Sequence, residues 1–318
     1  MLSLIIQETI DKYRLPNTNF LVVLDGVYHQ EFSQLPQEVE VIDNAMYITA
    51  NAGINPIHLL VIVSRNYHCS WHISIAAGGN VTILEEYISL GDNSHTVQID
   101  STMKIEKDSQ LRHYRWGQAM AQCIINTEII QKYASKVDRY FIQKDIGDFR
   151  ETLCVKLAET GADIAIGGIS FLRHNQTAKN KIFVEHFQPS CTSNVMVKSV
   201  LDNEGINDFD CRVKIYPEAA KSKAEVINRN LLLSDCAIAK SSPELEIYNE
   251  DILCKHGATV GSLDQEAIFY LRSRGIVLDE AIKILTAAFA NEVFGLFPKY
   301  DRLVADYTES VGYGRYYA

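Results

Sequence analysis

In CKHGATVG, residues 254–261, Cys254 and His256 stand two positions apart, just before a glycine. In an extended segment, residues i and i+2 share one face roughly 6.5–7 Å apart. A thiolate and an imidazole so placed can approach one soft metal ion or an iron–sulfur cluster. Gly257 permits a bend that would expose them. Two donors do not complete a tetrahedral site, so the remaining ligands would have to come from elsewhere in the fold or from another chain. The plainer reading is a packed cysteine and a turn histidine.

Two other stretches carry similar groups. His68-Cys69-Ser70-Trp71-His72 holds three metal donors in five residues. As a strand it would turn His68, Ser70 and His72 to one face and Cys69 and Trp71 to the other. A two-histidine face suits zinc, yet no further ligands can be located; surface histidines on a strand are the simpler account. Glu185-His186 could tune an imidazole, but adjacent strand residues face opposite sides. The chain has no GxxxxGK[ST] motif, so it does not read as an NTPase, and it has no HExxH or GxSxG.

These residues need elements to hold them. The chain has 318 residues, 47% hydrophobic and 22% charged, enough for a sizeable core. Its net charge of −10 argues against a nucleic-acid partner, which requires a basic face. No apolar run approaches the ~20 residues that span a bilayer. The N-terminus lacks the basic and apolar regions of a signal peptide. Seven scattered cysteines without CxxC fit free thiols in a reducing cytoplasm.

Residues 1–14 read as a helix with Leu4, Ile5, Thr9 and Ile10 on one side, followed by a short apolar strand in NFLVVLDG. From about residue 40, short β-prone runs alternate apolar and polar residues and are separated by turn chemistry such as Ala77-Gly78-Gly79-Asn80 and Asn203-Glu204-Gly205. This predicts an all-β body, with sandwich, barrel and solenoid all open and no repeat of fixed period visible. WGQAMAQCIINTEIIQKYASK, 116–136, contradicts the pattern and reads by propensity as helix. After Leu263, Ser262-x-x-Gln265 resembles a capping box and Gly275 a stop. Leu278, Ile282, Leu285, Phe289 and Val293 then mark one face of a second helix.

The run NLLLSDCAIAKSSPELEIYNEDILCKHGATVGSLDQEAIFYLRSRGI, 230–276, strongly resembles the SufB/SufD family of iron–sulfur cluster assembly proteins. AAFANEVF resembles the family's terminal helix, KIFVEHFQPSCTSNVMVKSVLD its SufD-side version of an upstream segment, and NPIHLLVIVS its early strands. The likeness is closer to SufD than to SufB. It implies a right-handed parallel β-helix core with terminal α-helices, which overrules the helix over 116–136. The expected division is a short N-terminal segment 1–40, reduced relative to the family, a β-helix core 41–262, a helical region 263–297 and a tail 298–318.

The resemblance further implies a non-catalytic, cytoplasmic scaffold subunit. It would pair with a SufB-like β-helix subunit and dock a SufC-like ATPase, which would carry the ATP turnover. His256, with Cys254 as companion, would share a transient iron–sulfur cluster across the subunit interface. Phe269, Tyr270, Leu271 and Arg274 are the candidate ATPase-docking face. Flavin binding and a homodimer of the chain alone are left open. Two rival readings are a stand-alone β-helix enzyme acting on polysaccharide, with Asp163, Glu185 and Asp210 as trial acids, and a metal-free homodimeric scaffold.

Overall fold

The computed structural model describes residues 2–43, 45–49, 54–91, 95–118 and 120–294; the tail 298–318 lies outside them. A helix, Leu2–Tyr13 (α1), is followed by nineteen strands among the described residues and two closing helices, Gln265–Ser273 (α2) and Leu278–Phe294 (α3). From Ala45–Ile48 on, successive strands alternate between two sheets, one of ten strands and one of nine, and each pairs in parallel with strands one coil away. Apart from two antiparallel pairings at the N-terminal end, Leu24 with Val27 and Ile42 with Ala45, every strand pairing is parallel. The protein is a parallel β-solenoid. Strand Asn19–Leu24, inside the segment 1–40, already pairs in parallel with Ile57–Val63 and belongs to it.

The coils vary in length. Gln110 pairs with Lys136, but Ile206 pairs with Ile238, so the advance per coil runs from 26 to 32 residues after the first. What repeats is a backbone conformation at one corner. Gly78, Asp108, Ala134, Gly161, Ser190 and Lys221 all have positive φ. The N–H of each donates to a carbonyl of the next coil, as in Asp108 to Tyr133 and Ser190 to Ala220. A left-handed corner accepts glycine readily and other residues at a cost, so six positions share one geometry with five residue types. That variety hides the period in the sequence.

Inside the solenoid, alternate residues of both sheets form one continuous core, including Ile83, Phe141, Phe149, Val195, Phe209 and Val226. The Phe141 ring occupies the space a Cβ would take at Gly168. Ile57–Val63 is buried on both faces, because α1 lays Ile6 and Ile10 over Phe20, Val22, Leu60 and Ile62 on the outer side. The α1 face is thus built on Ile6 and Ile10, while Leu4 and Ile5, expected to be inward, are exposed.

The span 116–136 is not helix. Met120–Gln131 is a strand whose Cys123, Ile125, Thr127, Ile129 and Gln131 alternate inward. Parallel pairing on both sides, to Thr96–Ile105 and to Ile146–Leu157, satisfies its backbone and outweighs local propensity. The start of α2 also differs from expectation. Asp264, not Ser262, caps it, its carboxylate accepting from the Glu266 N–H at 2.9 Å. In α3 the buried stripe is Ala281, Thr286, Ala290 and Val293, with Leu278 exposed.

Candidate functional site

Strand Leu253–Ser262 pairs on one side only, with Lys223–Leu232, placing Cys254 beside Ala224, His256 beside Val226, Ala258 beside Asn228 and Val260 beside Asn230. Those four partners are buried inside the solenoid. Cys254, His256, Ala258 and Val260 therefore stand on the inward row of the last coil. Among the described residues no further coil covers them, and His256 is exposed while Cys254 is half-buried. The facing strand, Ile238–Ile247, is likewise the edge of its sheet and continues the inward row with Leu245 and Ile247. The C-terminal end of the solenoid is an open mouth that presents a core layer and two unpaired strand edges to solvent.

The sequence spacing thus did place Cys254 and His256 on one face, and the topology turns that face into the mouth. Lys255 points the other way and pairs with Glu225 at 2.8 Å. Burial pushes the Cys254 thiol up, partly offset by the Ala224 backbone bond, so unaided it stays a neutral thiol near pH 7. A bound cation would be needed to draw off the proton. Among the described residues no group of three or more His, Cys, Asp and Glu side chains could hold a metal ion. Two donors at an open end are half a site.

Directly beneath the mouth lies a polar layer that sequence reading missed. Asn230 donates to the Thr259 carbonyl at 3.3 Å and to the Asn228 side chain at 2.7 Å, and accepts from Ser199 at 2.5 Å and Asn207 at 3.0 Å. Asn228 donates to the Val197 carbonyl at 2.9 Å. These bonds tie the last strand to the two coils below. Farther in, Arg139 reaches Glu151 at 2.6 Å and His113 at 2.8 Å, Arg115 also pairs with Glu151, and His113 meets Glu85 at 2.7 Å, all within the core. Burial pushes the Glu85 carboxyl up, but His113 and Arg115 more than offset it and hold it at about 2. Burial likewise raises Glu151, which Arg115 and Arg139 bring down to about 2. The phase was legible: in QLRHYRW, His113 and Arg115 alternate in step with the inward Leu111.

The other sequence candidates fall apart in space. On Tyr67–Ile75, His68 and His72 are exposed and Trp71 is buried, as alternation predicts. His68 lies 2.6 Å from Asp100, a surface hydrogen bond rather than a zinc face. Glu185 and His186 face opposite ways: Glu185 accepts from the Tyr216 hydroxyl at 2.8 Å, and buried His186 meets Ser193 at 2.8 Å. Asp163 begins a strand of one sheet, whereas Glu185 and Asp210 lie in the other, beside Lys214 and Lys181. The three acids do not form a catalytic row. On α2, Phe269 is 75% exposed, Tyr270 is exposed with Arg274 over its ring at 5.3 Å, and Leu271 is half-buried. Ile268 anchors the helix.

Residues 63–289 match the family model described as SUF system FeS cluster assembly, SufBD core domain. The chain belongs to the SufBD family. Among SufBD relatives, the iron–sulfur cluster assembly protein SufD of Escherichia coli is 26% identical over 228 residues, covering 71% of this chain and 54% of that protein. A SufBD-family iron–sulfur cluster assembly protein of Synechocystis is 27% identical over 272 residues, covering 80% of this chain and 59% of the relative. One from Mycobacterium leprae is 33% identical over 147 residues, 44% of this chain and 38% of the relative. The match thus spans between 38% and 59% of the length of these curated relatives. No helix among the described residues is long and apolar enough to cross a membrane.

Proposed function

We propose that this chain is the SufD-like, non-catalytic subunit of a cytoplasmic iron–sulfur cluster assembly complex. It pairs with a SufB-like β-solenoid through its open C-terminal end and docks a SufC-like ATPase through α2 and α3. The observation that carries the reading is the mouth itself: a thiol and an imidazole on the inward row of a coil whose edges are unpaired. A partner solenoid seated there would cover the exposed layer, satisfy both edges and bring the missing ligands to Cys254 and His256. Iron and sulfide are then cargo shared between two chains. Exposed Phe269 and Tyr270, with Leu271 and Arg274, form the face offered to the ATPase.

The test is anaerobic reconstitution of the complex with iron and sulfide, comparing wild type, His256→Ala and Cys254→Ser. The expected result is a large loss of cluster absorbance and bound iron for His256→Ala, with the complex still assembled. Equal cluster yield from wild type and His256→Ala removes His256 from the site. The Cys254→Ser result decides whether the thiol is a ligand or packing.

A further inference from the structure

Three aromatic side chains occupy one position in three successive coils. The N–H groups of Phe187, Tyr216 and Tyr248 donate to the carbonyls of Leu157, His186 and Ile215, each one coil earlier, at 3.1, 3.1 and 3.0 Å. Phe187 and Tyr216 stack with ring centroids 4.6 Å apart and planes 15° from parallel, close to the spacing of neighbouring strands. The Lys214 ammonium lies 5.0 Å from the Tyr216 centroid and 5.7 Å from that of Tyr248, a cation shared by two rings. Glu246, 3.5 Å away, holds that lysine from its other side. The row ends where the coils end. Tyr248, in the last coil, is 56% exposed, and its chain neighbour Ile247 and the start of the last strand, Leu253, are exposed too.

We propose that Tyr248 is the outermost rung of this aromatic row and a main determinant of partner choice at the mouth. Its ring receives an apolar or aromatic side chain from the end coil of the partner β-solenoid. The inference rests on the pairing proposed above and names a residue outside the cluster site. Two features select a solenoid end as the occupant. The mouth offers one edge from each of two sheets together with an exposed core layer, and only an element bearing both edges and a matching apolar layer fits all three. Exposed aromatic rings beside apolar residues are the usual energetic anchors of such contacts.

The experiment measures association of the chain with the SufB-family protein of the same organism by analytical ultracentrifugation. It uses wild type, Tyr248→Glu, Tyr248→Phe and, as a control elsewhere on the surface, Tyr133→Glu. The expected result is association about tenfold or more weaker for Tyr248→Glu, near wild type for Tyr248→Phe, and unchanged for Tyr133→Glu. Hydrogen exchange on the wild-type pair supplies a readout free of any substitution: residues 238–262 should gain protection on mixing. If wild type does not pair, the underlying reading fails. If wild type pairs but 238–262 gain no protection, pairing through the mouth fails as well; if wild type pairs with that protection and Tyr248→Glu pairs as tightly, the Tyr248 assignment alone is overturned. A wild-type chain that pairs more tightly with itself than with the SufB-family protein overturns the choice of partner.

Discussion

Individual buried groups make this molecule sensitive to acid in two stages. Burial holds His186 neutral and lowers its imidazole to about 4, against an ordinary value of 6.5. Burial also lowers His113, despite its bond to Glu85. A base depressed in the folded state contributes stability that is present above the unfolded value and is lost as pH falls through the folded one. The first loss therefore runs from about 6.5 down to about 4. Glu85 and Glu151, held at about 2 against an ordinary 4.5, contribute stability above 4.5 that is lost as pH falls toward 2. Denaturant unfolding at a series of pH values should show both declines, and His186→Gln should flatten the upper one in part. A flat profile between about pH 6.5 and 4.5 would remove His186 and His113 from this role.

Among the elements, α3 is the one whose attachment depends on a few groups. Lys198 projects from the outer face of its strand and is fully buried beneath the helix. Its ammonium donates to the Phe289 carbonyl at 2.7 Å and to Glu292, and lies 4.2 Å from the Phe289 centroid. Arg229, one coil on, grips the same Glu292 at 2.7 and 2.8 Å. Burial lowers the Lys198 ammonium even though Glu292 opposes the shift. Lys198→Met removes the donor while keeping much of the apolar stem. It should cost about 1–3 kcal/mol and should lower amide protection in 278–294 while leaving the middle coils unchanged. Equal protection of α3 in wild type and variant would show that its small-residue stripe alone holds it.

For the molecule as a whole, a solenoid is quasi-one-dimensional: each coil leans only on its neighbours. At the N-terminal end, antiparallel strands close the sheet ends and α1 covers an outer face beside them. At the other end no residue of the last two strands is fully buried, and Leu253–Ser262 is exposed along nearly its whole length. Native-state hydrogen exchange of the isolated chain should therefore show a gradient, with the middle coils most protected and 238–262 least. A profile with 238–262 as protected as 163–201 would mean that the mouth is already covered, by a second copy or by another part of the chain.

Much of this was written in local sequence. Alternation in runs such as ETLCVKLAE and DCRVKIY identified strands with one buried face, and the spacing of Cys254 and His256 put both on one side of their strand. The likeness in 230–276 carried the family and the solenoid. Other features depend on contacts between coils distant in the chain. The strand at Met120–Gln131 is decided by two flanking strands, against its own helix propensity. The period is hidden because the repeated object is a left-handed corner that residues as different as glycine, aspartate and lysine can occupy. The α3 stripe keeps Val293 but otherwise runs through Ala281, Thr286 and Ala290, with Leu278 exposed, because which residues are covered depends on how the helix docks on distant strands. Sequence alone made Cys254 and His256 neighbours; their place at an open mouth follows from the coil stack ending with them, since burial and exposure are properties of what lies one coil away.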